Sequence, residues 1–121
     1  MPTIMLAEDD PTMLVLLKTL LEIEGFTVKT FAGKTQTELV DHLDQEKPDV
    51  LLMDVHLYNI NGVDALRAVR QKQDLQYLQV IMTSGSDVND LCLKEGANAF
   101  LMKPYMPDTL ISMINQQLSI I

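Results

Sequence analysis

Five short hydrophobic runs alternate along the chain with longer stretches in which hydrophobic residues return every three or four positions. The runs are "TIMLA" (Thr3–Ala7), "FTVKTF" (Phe26–Phe31), "VLLMD" (Val50–Asp54), "VIMT" (Val80–Thr83) and "AFLM" (Ala99–Met102). Four of them are almost continuously apolar, the pattern of strands covered on both faces of a parallel sheet. The second alternates and carries Lys29, which suits an edge strand.

The stretches between carry helix punctuation. Asp10 before Pro11 supplies a capping acid and a proline at the first helical position, and Gly25 supplies the stop. Leu14, Leu17 and Leu21 form an apolar stripe, with Lys18 and Glu22 on its wet side. "TQTE" (Thr35–Glu38) has the spacing of a capping box and opens a second helix through Leu39, Val40 and Leu43. Asn61–Gly62 opens a third with Val63, Leu66 and Val69 on one side. The fourth is predicted from Asp87 to Glu95, stopped by Gly96, and the last begins near Pro107 and carries Leu110, Ile111, Ile114 and Leu118.

Strict strand–helix alternation with right-handed crossovers predicts an α/β fold: a doubly wound, five-stranded parallel sheet of order 2-1-3-4-5 with five helices, flavodoxin-like. With 121 residues and no linker or repeat, residues 1–121 read as a single domain. Composition adds exclusions. Hydrophobic residues make up 47% and charged residues 21%, the balance of a folded globular chain. No apolar run approaches the roughly 20 residues of a membrane span, and no signal peptide opens the sequence, so the default expectation is a cytoplasmic protein. The net charge of −8 disfavours direct nucleic-acid binding, since no basic patch is present to displace phosphate counterions. Cys92 is the single cysteine, which excludes an internal disulfide and reads as a buried, inert thiol.

The chemistry gathers where such sheets bind ligands, outside the carboxyl ends of the strands. Glu8 and Asp9 follow the first run, Asp54 ends the third, Thr83 ends the fourth and Lys103 follows the fifth. Taken singly, each has a plain structural explanation as a turn, cap or solvated residue. Their joint appearance at successive strand ends is the signal. Two carboxylates about 4 Å apart repel by roughly 4 kcal/mol at an effective dielectric near 20, so three of them on one rim call for a cation. Oxygen donors completed by water and phosphate describe Mg²⁺ better than zinc. A carboxylate beside such an ion is a nucleophile suited to forming an aspartyl phosphate, with Asp54, on the middle strand, the best placed. The turn after the first run offers acids where a nucleotide-binding loop wants glycine or hydroxyl residues.

"EDDP", "DVLLMDVHL" with "NG" downstream, "VIMTSG" and "AFLMKPY", in that order, resemble the receiver domain of two-component response regulators, a family that includes the chemotaxis response regulator. The resemblance covers essentially the whole chain. It implies that Asp54 accepts a phosphoryl group from a histidine kinase or phosphotransfer protein. It also implies that Glu8, Asp9, Asp54 and the backbone carbonyl of His56 hold Mg²⁺, and that Thr83 and Lys103 bind phosphoryl oxygens. Phe100 matches the aromatic switch residue, and the Lys103–Pro104 bond matches one that is usually cis. The face of the fourth and fifth helices and fifth strand, near Met102, Met106 and Met113, would address a downstream effector or a linked output domain. Such a protein catalyses only its own phosphorylation and slow dephosphorylation. Glu8 stands where aspartate is often found, Tyr58 where proline is common, and Phe100 where tyrosine is familiar. His56 and Gly85 lie two residues after Asp54 and Thr83, places whose side chains influence phosphate lifetime in the family; His42 reads as a surface residue. Two alternatives stay open: a Mg²⁺-dependent phosphatase with an aspartyl nucleophile, though such enzymes commonly carry an acid where His56 stands, and a receiver-like interaction module that ignores phosphate. The apolar ending "SII" leaves open a free-standing regulator, a relay intermediate, or a receiver of a longer protein.

Overall fold

The computed structural model describes residues 2–57 and 59–119; Tyr58 and the last two residues of the "SII" ending lie outside them. The main sheet contains β1 (Thr3–Ala7), β2 (Thr27–Thr30), β3 (Val50–Asp54), β4 (Gln79–Ser84) and β5 (Ala99–Met102). All neighbours pair in parallel, in the order 2-1-3-4-5. Helices α1 (Pro11–Ile23), α2 (Gln36–Glu46), α3 (Gly62–Gln71), α4 (Asn89–Lys94) and α5 (Pro107–Leu118) connect or follow the strands. This is the doubly wound, flavodoxin-like fold that the alternation of patterns predicts.

Side-chain alternation along the strands divides the core in two. Ile4, Leu6, Val50, Leu52 and Ile81 meet Leu17 and Leu21 of α1 and Leu110 and Ile114 of α5 on one face. Met5, Leu51, Met53, Val80 and Met82 meet Leu39 and Leu43 of α2, Leu66 and Val69 of α3, and Cys92 of α4 on the other. Each central strand therefore needs an apolar side chain at nearly every position, which is why those runs are continuous. β2, at the edge, shows the mixed burial that its alternating sequence implies.

Caps fix where helices begin. Asp10 accepts from the backbone N–H groups of Thr12 (3.0 Å) and Met13 (3.3 Å). Thr35 accepts from Glu38 N–H at 3.1 Å, and Asn61 from Val63 (3.0 Å) and Asp64 (3.2 Å). Three boundaries differ from the sequence reading. β2 loses Phe26 and Phe31, β4 gains Gln79 and Ser84, and α4 is only six residues long, with Asp87 outside it accepting from Asn89 N–H at 3.3 Å and Glu95 at its C-terminal boundary. α2 ends at Lys47 in the left-handed region (φ 47°), a place glycine more often holds. His42, expected on the surface, is half-buried, edge-on to Phe31 with ring centroids 6.0 Å apart. Cys92 is fully buried, and burial pushes its thiol up from the ordinary value.

Candidate functional site at the carboxyl ends of the strands

Register alone brings the chemistry together. Met53 of β3 pairs with Ala7 of β1, so Asp54 lies next to Glu8, the residue that follows β1. On its other side Asp54 pairs with Thr83 of β4. β4 in turn pairs Ser84 with Met102, and the N–H of Lys103 continues that ladder to the Ser84 carbonyl at 2.8 Å. Four adjacent strand ends thus deliver Glu8, Asp54, Thr83 and Lys103 to one rim, and Asp9 follows Glu8 onto it.

Carboxylate oxygens of Glu8, Asp9 and Asp54 all lie within 4.8 Å of one another. The Lys103 ammonium stands among them, 2.6 Å from Asp54 Oδ2 and 3.2 Å from each Glu8 oxygen. The other Asp54 oxygen, Oδ1, accepts from the backbone N–H of His56 at 2.9 Å, which fixes the plane of the carboxylate. A tight turn supports this arrangement: Val55 N–H donates to the Thr83 carbonyl at 2.8 Å and Gly62 N–H to the Val55 carbonyl at 2.7 Å. His56 itself opens a two-residue hairpin, His56–Leu57 against Ile60–Asn61, and its side chain is exposed.

The electrostatics follow from burial. Glu8 and Asp54 are 6% and 8% exposed. Burial raises the Glu8 carboxyl above its ordinary value; the bond and charge of Lys103 pull it back, and Asp54 and Asp9 push it up again. For Lys103, burial disfavours the ammonium, but hydrogen bonds from it to Asp54 and Glu8 outweigh that, and its value ends above the ordinary one. Burial pushes the half-buried Tyr105 phenol, beside the same cluster, up to about 12. Three hard carboxylate donors around one point, short of positive charge, suit a small divalent cation that prefers oxygen ligands. The donor set fits Mg²⁺.

Thr83 is buried next to Asp54, and Phe100 lies one strand further over, half-buried against the core together with Val88. The Lys103–Pro104 peptide is cis. Sequence reading missed the Glu8–Lys103 contact, which joins residues 95 positions apart, and the crowding at Gly62, where an added Cβ would lie 2.6 Å from the Asp54 carbonyl oxygen. No local pattern signals either.

The sequence profile of the response regulator receiver domain matches residues 4–115. The chain belongs to the response regulator receiver domain family. Receiver domains are signalling domains. The chain is similar to the phosphate regulon transcriptional regulatory protein PhoB of Rhizobium meliloti, with 30% identity over 121 residues covering 98% of this chain and 52% of that protein. It is 36% identical over 115 residues to the transcriptional regulatory protein CpxR of Escherichia coli, covering 94% of this chain and 48% of CpxR. The receiver chain thus spans about half the length of the curated relatives it matches. Among solved structures, a putative response regulator from Chloroflexus aurantiacus superposes with a TM-score of 0.87 at 28% identity, covering 98% of each chain. Among the described residues of this receiver domain, no helix is long and apolar enough to cross a membrane.

Proposed function

We propose that Asp54 accepts a phosphoryl group from a histidine kinase or phosphotransfer protein in the cytoplasm, in a reaction that requires Mg²⁺. The observation that carries this reading is the Asp54 carboxylate itself, clustered with Glu8 and Asp9 and touched by Lys103 at 2.6 Å. An oxygen of Asp54 forms a bond to phosphorus as the P–N bond of the donor's phosphohistidine breaks, and the imidazole nitrogen leaves with the electron pair. Glu8, Asp9, Asp54 and the His56 carbonyl would hold the magnesium ion, whose charge offsets that spread over the phosphoryl oxygens. The Lys103 ammonium binds one phosphoryl oxygen and the Thr83 hydroxyl another. The protein catalyses its own phosphorylation and slow dephosphorylation, and no turnover of other phosphate esters.

The output is a shift between two conformations that the phosphoryl group favours unequally. Recruitment of Thr83 draws on the loop after β4 and biases Phe100 and the face made by α4, β5 and α5. Leu91, Met102 and Met106 are exposed on these elements or at their ends, giving that face apolar side chains for an effector or a linked output domain. The relatives named as transcriptional regulators fit such an output. Incubation with acetyl phosphate and Mg²⁺, read by intact-protein mass, should add one phosphoryl group to the parent and none to Asp54→Asn. Labelling that survives in Asp54→Asn, or that needs no divalent cation, overturns the assignment.

A further inference from the structure

We infer that the outward face of α1 is a self-association surface, on which a second copy of this chain packs through its own α1 in an antiparallel, twofold-related pair. The inference is independent of the phosphoacceptor reading. α1 has the composition of a helix covered on all sides, since Lys18 and Glu22 are its only charges. Leu17 and Leu21 face the sheet and are buried. The opposite side is not: Val15 is 66%, Leu16 48% and Ile23 74% exposed. Thr12, Val15, Leu16, Thr19 and Ile23 recur at helical spacing and so form one outward stripe. Pro11, Thr12, Val15, Leu16 and Thr19 line a groove of about 590 Å³ along it.

The charges beside the stripe select its occupant. Lys18 and Glu22 are both exposed and both lie on the same flank of the stripe. Among the described residues neither makes an ion pair, and a lysine four positions before a glutamate is the weaker order for pairing within one helix. In an antiparallel pair related by a twofold axis, each flank meets its own copy. An axis at Thr19 sets Val15 opposite Ile23 of the second copy. It also brings Lys18 to within two residues, about 3 Å along the helix, of Glu22 of the second copy. Both charges then gain a partner, twice over. A parallel pair would set that flank against the other side of the stripe, which carries Leu20 and no charge. The short Thr19 side chain at the axis lets the helices approach to about 8–10 Å.

Size sets the strength of the contact. A standard interface takes roughly 20–30 residues from each partner, and one face of one helix supplies fewer. The net charge of −8 on each copy also opposes association, although physiological salt screens it beyond about 8 Å. The dimer is therefore weak and reversible, with a Kd of roughly 50–500 µM. Its affinity comes from the apolar centre, where Val15 and Ile23 leave water, and the Lys18–Glu22 pairs at the rim set the register. Leu91, Met102 and Met106 stand on or beside other elements, so pairing through α1 leaves them free.

The test is sedimentation velocity with amide NMR on the whole chain, from about 20 µM to about 2 mM at about 0.15 M salt. The parent should pass from monomer toward dimer over this range, with concentration-dependent shifts gathered on residues 11–24. Val15 and Ile23 are exposed, so Val15→Ser with Ile23→Ser leaves the fold intact and should weaken association at least about tenfold. Lys18→Glu alone and Glu22→Lys alone each set like charges together across the axis, and each should self-associate less than the parent. An equal mixture of these two variants makes every cross-pair opposite in sign, and should associate about fivefold or more tightly than either alone. A parent that stays monomeric at the highest concentration overturns the inference, and the stripe then belongs to a different protein, such as a helical phosphodonor. Shifts gathered on another face, or a mixture no tighter than its components, overturn it equally.

Discussion

Gly62 is the first residue of α3 and sits against the turn that carries Asp54, so replacing it by alanine tests the packing beneath the site. An ideal Cβ at this position lies 2.6 Å from the Asp54 carbonyl oxygen, 2.7 Å from Val55 Cα and 2.8 Å from the Val55 carbonyl oxygen. All three are backbone atoms, which cannot rotate aside as a side chain would. Non-bonded carbon contacts settle at about 3.5–4.0 Å, so the turn or the helix start has to retreat by roughly 1 Å. Overpacking of that kind costs about 1–3 kcal/mol. Alanine's better helix propensity returns at most about 1 kcal/mol, while the 2.7 Å bond from Gly62 N–H to the Val55 carbonyl is stretched, at a further cost of about 0.5–1.5 kcal/mol. The expected net loss is about 1–3 kcal/mol, or a fall in Tm of roughly 4–12 °C for a domain of this size. Gly85→Ala is the control, because its added Cβ meets nothing within 4 Å, and its stability should stay within about 0.5 kcal/mol of the parent. Thermal unfolding followed by circular dichroism measures both. A Gly62→Ala protein as stable as the parent would refute the reasoning and show that the turn yields freely.

Three other expectations follow from different parts of the molecule. Leu66 is fully buried between α3 and the sheet, and Leu66→Ala should lose about 2–5 kcal/mol in urea denaturation; a loss under 1 kcal/mol would mean that the core collapses around the gap. Arg67 grips Glu95 through Nε at 2.9 Å and Nη2 at 3.1 Å, and this bond holds the Glu95 carboxyl below its ordinary 4.5. The folded protein therefore binds that proton more weakly than the unfolded chain. The stabilising contribution is complete above pH 4.5 and disappears as pH falls through the lowered value. Glu95→Gln should lose less stability than the parent on acidification below 4.5, and identical acid limbs in a series of urea titrations would rule the contribution out. Lys103→Ala should still take a phosphoryl group, more slowly, but without the accompanying change on α4, β5 and α5. Amide NMR shifts over residues 99–118 that match those of the phosphorylated parent would remove Lys103 from the coupling.

The sequence by itself determined whatever depends on neighbours a few positions away. Continuous apolar runs marked the strands to be covered on both faces, and Asp10, Thr35 and Asn61 marked helix starts because a cap bonds to N–H groups two or three residues on. Once those elements alternate, the handedness of crossovers leaves little choice of topology, and the strand ends bring Glu8, Asp54, Thr83 and Lys103 to one rim. Tertiary structure alone decided what depends on exact reach and clearance. The length of α4, the hairpin after Asp54, the half-buried place of His42 against Phe31 and the closeness of Gly62 to the Asp54 carbonyl are set by packing between distant segments. The bond from Lys103 to Glu8 is the clearest case. Its partners are 95 residues apart, a pairing that hydrophobic periodicity does not register.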